Sequence, residues 1–182
     1  MKVTLEVGHG PFRDRNGRKG FEKGAVGPST TEYDEVLHMA AVAGEALGVL
    51  GYEVDILDPQ ETLTRIGQLS WGSDVMVSLH LNAFNKKVQG TETLVHRAAT
   101  QSDRILAGEI QNELLNALGL RDRGVKSQGL AVLGSVPPSV GACCLTESFF
   151  IDSVPNATIV REWSTRAAEA IARGIHNYAK NL

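Results

Sequence analysis

The period of the apolar positions changes repeatedly along the chain. Lys2 to Val7, KVTLEV, alternates and predicts a strand. From Glu32 to Leu50 the residues Val36, Ala40, Ala43, Leu47 and Leu50 return at helical spacing, and Gly51 follows as a stop. "GYEVDIL" from Gly51 reads as a second strand, Leu63 to Leu69 as a short helix, Val75 to Leu79 as a third strand and "TETLVHR" from Thr91 as a fourth. Ser102 to Leu118 carries Leu106, Ile110, Leu114 and Ala117 on one helical face, with Gly119 at its end. "LAVLG" from Leu130 and "ACCLTE" from Ala142 predict strands five and six, and Pro155 to Tyr178 a final helix. Residues 10 to 31, rich in Gly, Pro, Arg, Lys, Ser and Thr, predict a long loop. Strands alternating with helices predict an α/β fold: a largely parallel twisted sheet of about six strands with helices on both faces. No repeat, low-complexity tract or linker breaks the pattern, so residues 1–182 read as a single domain.

Composition acts mainly by exclusion. The 182 residues suffice for one sizeable core. Lys plus Arg number 18 against 21 Asp plus Glu, a net charge of −3, which gives no global pull towards nucleic acid or an anionic membrane. No window approaches the ~18 to 20 apolar residues of a membrane span. "MKVTLEVGHG" alternates and lacks a long apolar stretch with a cleavage site, so synthesis in the cytoplasm without a signal peptide is expected. Cys143 and Cys144 are adjacent in an apolar run, which suits two small buried residues better than a staple.

The expected architecture gathers chemistry at one edge, because ligands of such sheets bind beyond the carboxyl ends of the strands. His9 follows strand one, His80 ends strand three, Glu147 ends strand six, and Glu32 opens the helix after strand one. Two imidazoles and one carboxylate form the usual protein ligand set of a hydrolytic zinc centre with an open fourth position. A second carboxylate nearby would move the proton.

The segments "GHG", "GAVGPSTTE", "SLHLNA", "RGVK" with "LAVLG", and "CLTESFF" occur in the order found in the zinc-dependent N-acetylmuramoyl-L-alanine amidases. The chain resembles the catalytic domain of bacterial cell-wall amidases and phage endolysins over nearly its whole length, "SDRILAGEIQNEL" matching that family's central helix. The resemblance implies that His9, Glu32 and His80 ligate one Zn2+, and that Glu147 is the catalytic glutamate. It implies cleavage of the amide between the lactyl group of muramic acid and L-alanine in peptidoglycan; with no signal peptide expected, such an enzyme would be of endolysin type and reach the wall after phage-type release. Two other classes remain at this stage: a zinc peptidase cutting within the stem peptide, and an inactive peptidoglycan-binding module.

Duller roles compete at individual positions. "STTE" (Ser29 to Glu32) is also a capping-box signature, and Glu22 is the runner-up ligand. Asn82 is a candidate to orient substrate or brace His80. Glu92 and Lys126 are candidates to touch glycan or peptide, with a solvated surface role as the alternative. His38, His96 and His176 read as structural or solvent-facing. The sequence departs from the family at Val7, at Pro11, at Phe149 and in the longer loop after His9. That loop sets Arg13, Arg15, Arg18, Lys19 and Lys23 against Asp14 and Glu22: a solvated loop, or a flap for anionic wall polymer. These departures leave the shape of the substrate cleft open.

Overall fold

A computed structural model describes residues 1–14, 16–58 and 61–182. In chain order the elements are β1 (Lys2–Val7), β2 (Gly10–Arg13), β3 (Lys19–Glu22), β4 (Val26–Gly27), β5 (Thr30–Thr31), α1 (Glu32–Val49), β6 (Glu53–Leu57), α2 (Leu63–Leu69) and β7 (Val75–Asn82). Then come β8 (Thr91–His96), α3 (Gln101–Leu118), β9 (Asp122–Gln128), α4 (Ala131–Gly134), β10 (Ala142–Phe150) and α5 (Ala157–Lys180). One six-stranded sheet has the order β6-β1-β7-β10-β8-β9. All neighbours in it are parallel except β10 and β8, which run antiparallel. The expected largely parallel α/β sheet is what forms.

The two faces of the sheet are covered unequally. On β7, Val75, Val77, Leu79 and Leu81 join a core with residues of α1, α3 and α5, such as Met39, Leu106 and Ile171. The alternate residue Met76 faces a smaller cluster with Ile66 of α2 and Val132 and Leu133 of α4. Period-two alternation thus sends Met76, Ser78 and His80 to the thinly covered face. Three long helices shield one face, and two short ones leave the carboxyl ends of the strands open on the other.

A bulge in β10 decides where its last residues point. Cys143, Leu145 and Glu147 lie on the thin face, but register shifts between Glu147 and Phe150. Phe149 therefore joins the larger core, fully buried, with its ring edge-on to Trp163 at 5.5 Å. A β-bulge re-aims the residues after it. The departure at Phe149 accordingly alters the core under α5 and leaves the cleft untouched.

Two sequence expectations are corrected. The fifth strand is Asp122–Gln128, and the segment "LAVLG" forms α4 instead. A five-residue apolar run fits either period, and β9 is polar because it is an edge strand with one neighbour. The long loop after His9 is a β2–β3 hairpin followed by the small β4–β5 ladder. Arg15 of that loop lies outside the described residues. Among the described residues no helix is long and apolar enough to cross a membrane.

Candidate active site

Four strand ends build a row on the thin face. Glu147 of β10 pairs in register with His80 of β7 on one side and with Glu92 of β8 on the other. On the far side of His80 stands Gly8, where a Cβ would come within 2.5 Å of the His80 ring. The glycine before His9 is there because the imidazole occupies that space. His9 itself adopts φ 66°, a left-handed conformation rare outside glycine, which turns its ring back over the sheet edge.

Glu32 reaches this row from the first turn of α1. Thr31 caps that helix, its hydroxyl accepting from Asp34 N at 3.3 Å. The Glu32 carboxylate is thereby released from capping duty, contrary to the capping-box reading of Ser29 to Glu32. Its Oε1 accepts from Leu81 N at 2.9 Å and its Oε2 from Ala25 N at 2.8 Å. Gly24, at φ 67°, allows the chain to pass: a Cβ there would lie 2.5 Å from Glu32 Oε2. Two imidazole nitrogens converge on the same carboxylate, His80 Nδ1 at 2.9 Å from Oε1 and His9 Nε2 at 3.1 Å from Oε2. One donor atom from each of His9, Glu32 and His80 lies within 4.8 Å of the others, a group that could hold a metal ion.

The electrostatics fit such a role. Burial alone would raise the Glu32 pKa, but the hydrogen bonds and charges of His80 and His9 hold it far below the usual carboxylate range. Burial would lower His80, yet Glu32, with Glu147 and Glu6 behind it, raises it to about 9. Glu147 has the opposite history. Burial pushes it up to about 7, and the neighbouring charges of Glu32 and Glu92 add to that against His80 and His9. Its Oε2 is buried without a hydrogen-bond partner. A carboxyl poised near neutrality beside two imidazoles can both take and return a proton.

Glu92 proves to be neither solvated nor free. It is buried, and it accepts from Arg123 Nε at 2.6 Å, from Lys126 Nζ, and from Asn82 Nδ2 at 3.3 Å. Arg123 also lies over the Phe150 ring at 4.9 Å. Asn82 thus braces Glu92 rather than His80. The remaining histidines are structural: His38 pairs with Thr165 at 2.9 Å, His176 with Tyr52 at 2.8 Å, and His96 Nδ1 accepts from Ala98 N.

Sequence reasoning missed Glu6. It sits on the thin face of β1, buried, and accepts a short hydrogen bond from Ser78 of β7. Burial raises its pKa. The available signal was a lone acid inside an apolar strand three residues before His9. Together with His9, His80 and Leu145 it lines a cavity of about 360 Å³. The hairpin walls this cavity through Phe12, Arg13 and Glu22, and the start of α2 walls it through Glu61, Leu63 and Ile66.

Residues 3–177 match the family model described as N-acetylmuramoyl-L-alanine amidase. The chain belongs to the N-acetylmuramoyl-L-alanine amidase family. It is 44% identical over 115 residues to an uncharacterized cell wall amidase of Bacillus anthracis, a match covering 58% of this chain and 21% of the relative. It is 32% identical over 189 residues to the N-acetylmuramoyl-L-alanine amidase LytC of Bacillus subtilis, covering 97% of this chain and 35% of that one. The chain therefore spans between about a fifth and a third of these two amidases' length. An N-acetylmuramoyl-L-alanine amidase from Clostridium difficile 630 has the same fold, with a TM-score of 0.83, 24% identity, and coverage of 98% and 96% of the two chains.

Proposed function

We propose that this amidase-family chain hydrolyses the amide between the lactyl group of N-acetylmuramic acid and the L-alanine of the peptidoglycan stem peptide. The observation that carries the reading is the convergence of His9, Glu32 and His80 on one point with Glu147 in register beside His80. Zinc suits the donor set, two imidazole nitrogens and a carboxylate that also accepts from two backbone N–H groups. The ion would be held by His9 Nε2, His80 Nδ1 and Glu32. Bound there, zinc supplies Lewis-acid chemistry, acidifying water and polarising an amide carbonyl.

The chain's own residues supply the rest. Glu147 accepts the proton of the attacking water at its carboxylate and delivers it to the departing amine of L-alanine. Burial suits it to both steps, since a carboxyl with its pKa near 7 binds and releases a proton at neutral pH. Glu92, clamped by Arg123 and Lys126, keeps the adjacent strand end fixed while leaving Glu147 without a hydrogen bond that would pin its charge. The cavity beside His9 and His80 offers apolar walls and carboxylates to the peptide or glycan flanking the scissile bond.

Defined muropeptides digested with and without a chelator test this. Free stem peptides of intact mass, formed only when metal is present, are expected. Cuts inside the peptide would instead make the chain a zinc peptidase, and binding without any product would make it an adhesion module. An endolysin-type lytic role belongs to the same proposal, with falling turbidity of purified cell walls as its readout.

A further inference from the structure

The β2–β3 hairpin carries a second acid to His9. We infer that Glu22 is a positioning residue for the proposed metal centre, the acceptor for the ring nitrogen of His9 that faces away from Glu32. This rests on the metal reading above and extends it. His9 Nε2 points at Glu32, which leaves Nδ1 on the opposite side of the ring. Glu22 Oε1 lies 3.8 Å from Nδ1. A histidine that ligates a cation through one nitrogen needs an acceptor for the proton on the other, which fixes the tautomer and the ring plane. Glu22 is placed to give it after a closure of less than 1 Å.

The placement is built in rather than accidental. Glu22 pairs with Gly10 in the antiparallel ladder, directly after His9 in sequence. The next residue is tied to α1, since Lys23 O accepts from Tyr33 N at 3.2 Å. Phe21 sets its ring edge-on to Tyr33 at 5.2 Å, and Gly10 has no side chain because the Tyr33 ring fills that space. One helix turn therefore presents Glu32 to one nitrogen of His9 and anchors the hairpin that presents Glu22 to the other. The same geometry disposes of Glu22 as an alternative ligand: it stands on the wrong side of the ring to share an ion with His80.

The test is zinc affinity, measured by competition with a chromogenic chelator on the full chain, for Glu22→Ala, Glu22→Gln and the control Glu61→Gln. Loss of an outer acceptor lowers metal affinity by about 10- to 100-fold. That loss is expected for Glu22→Ala. Glu22→Gln, which keeps an acceptor oxygen, should fall between it and the parent. Glu61→Gln removes the same charge from the rim of the same cavity and should leave affinity within about twofold. Glu22 is exposed, so the metal-free melting temperature should not move. Parent-like affinity in Glu22→Ala overturns the inference, as does equal loss in Glu22→Gln and Glu61→Gln, which would mean charge alone. A parent chain that binds no zinc would instead overturn the metal reading itself.

Discussion

His80 and Glu147 stand side by side at the ends of two parallel strands, yet their protons are held for different reasons. His80 keeps its proton up to about 9 because Glu32 accepts from it. Glu147 keeps its own up to about 7 because burial disfavours its charge and no donor reaches Oε2. Neighbours in one row are thus set for separate tasks, one to converge on Glu32 with His9 and one to remain available for proton transfer.

Glu147→Gln should separate those tasks. The amide matches the carboxyl in shape but cannot take a proton. Hydrolysis is expected to fall by about 100- to 10,000-fold, the usual range for a lost general acid–base. Zinc content and melting temperature should hold, because an uncharged group replaces a buried acid that lacks a partner. Parent-like turnover measured on muropeptides would remove Glu147 from the mechanism.

Stability of the metal-free protein should decline as pH rises through neutrality. His80 is raised from its ordinary 6.5 to about 9, so its protonated form stabilises the fold fully below 6.5, and that contribution is lost as pH rises to 9. Glu147, raised from 4.5 to about 7, acts in the same direction at lower pH. Glu32 is depressed, so its contribution is present above 4.5 and lost only on strong acidification. Thermal melts of chelator-treated protein from pH 6.5 to 9 are expected to show a falling midpoint. A flat profile would contradict the Glu32–His80 pairing.

Zinc uptake should release protons for the same reason. A ligating imidazole is neutral, so His80 must give up a proton that it otherwise holds up to about 9. Titration calorimetry at pH 7 in buffers of different ionisation enthalpy should show close to one proton released or more, and apparent affinity rising towards pH 9. Buffer-independent heats would sink this expectation. His80→Ala should lose affinity and hydrolysis together.

The parts of this molecule that were legible in the sequence are those in which burial and period agree. β1 and β7 are short runs buried on both sides, α1 and α3 bury one stripe each, and the positions of His9, His80 and Glu147 follow from where such strands end. α4 reads as a strand and β9 gives no strand signal, because local pattern and tertiary role disagree: a short apolar run turns helical where it packs on α2, and a polar strand pairs along an edge. The hairpin was hidden by its own composition. Gly20 sits in β3 because the Phe12 ring leaves no room for a Cβ, so a residue that signals a loop in sequence serves a ladder in three dimensions. Glu6 was invisible for another reason. Its partner Ser78 lies 72 residues away and meets it only through the β1–β7 register.

Phe149 should matter to the fold and not to the chemistry. It is fully buried under α5, on the far side of the sheet from the cavity. Phe149→Ala should cost about 3–5 kcal/mol of stability, as for other large core truncations. Below the lowered melting point, the Michaelis constant for muropeptides should stay close to the parent's. A large rise in that constant with little loss of stability would put Phe149 back at the cleft.

Two glycines give the sharpest contrast between space and conformation. A Cβ on Gly8 would lie 2.5 Å from the His80 ring and 2.6 Å from Leu79 O, so the ring must move. Gly8→Ala should therefore cost about 1–3 kcal/mol through overpacking. It should also weaken zinc binding, because the displaced ring can no longer meet Glu32 and His9 at one point. Gly108, inside α3, has nothing within 4 Å of the same added atom. There alanine only improves helix propensity, by up to about 1 kcal/mol, and zinc affinity should not change. Opposite shifts in melting temperature, with affinity lost in Gly8→Ala alone, are the expected pattern. If Gly8→Ala bound zinc as the parent does, His80 would have room that this packing denies it.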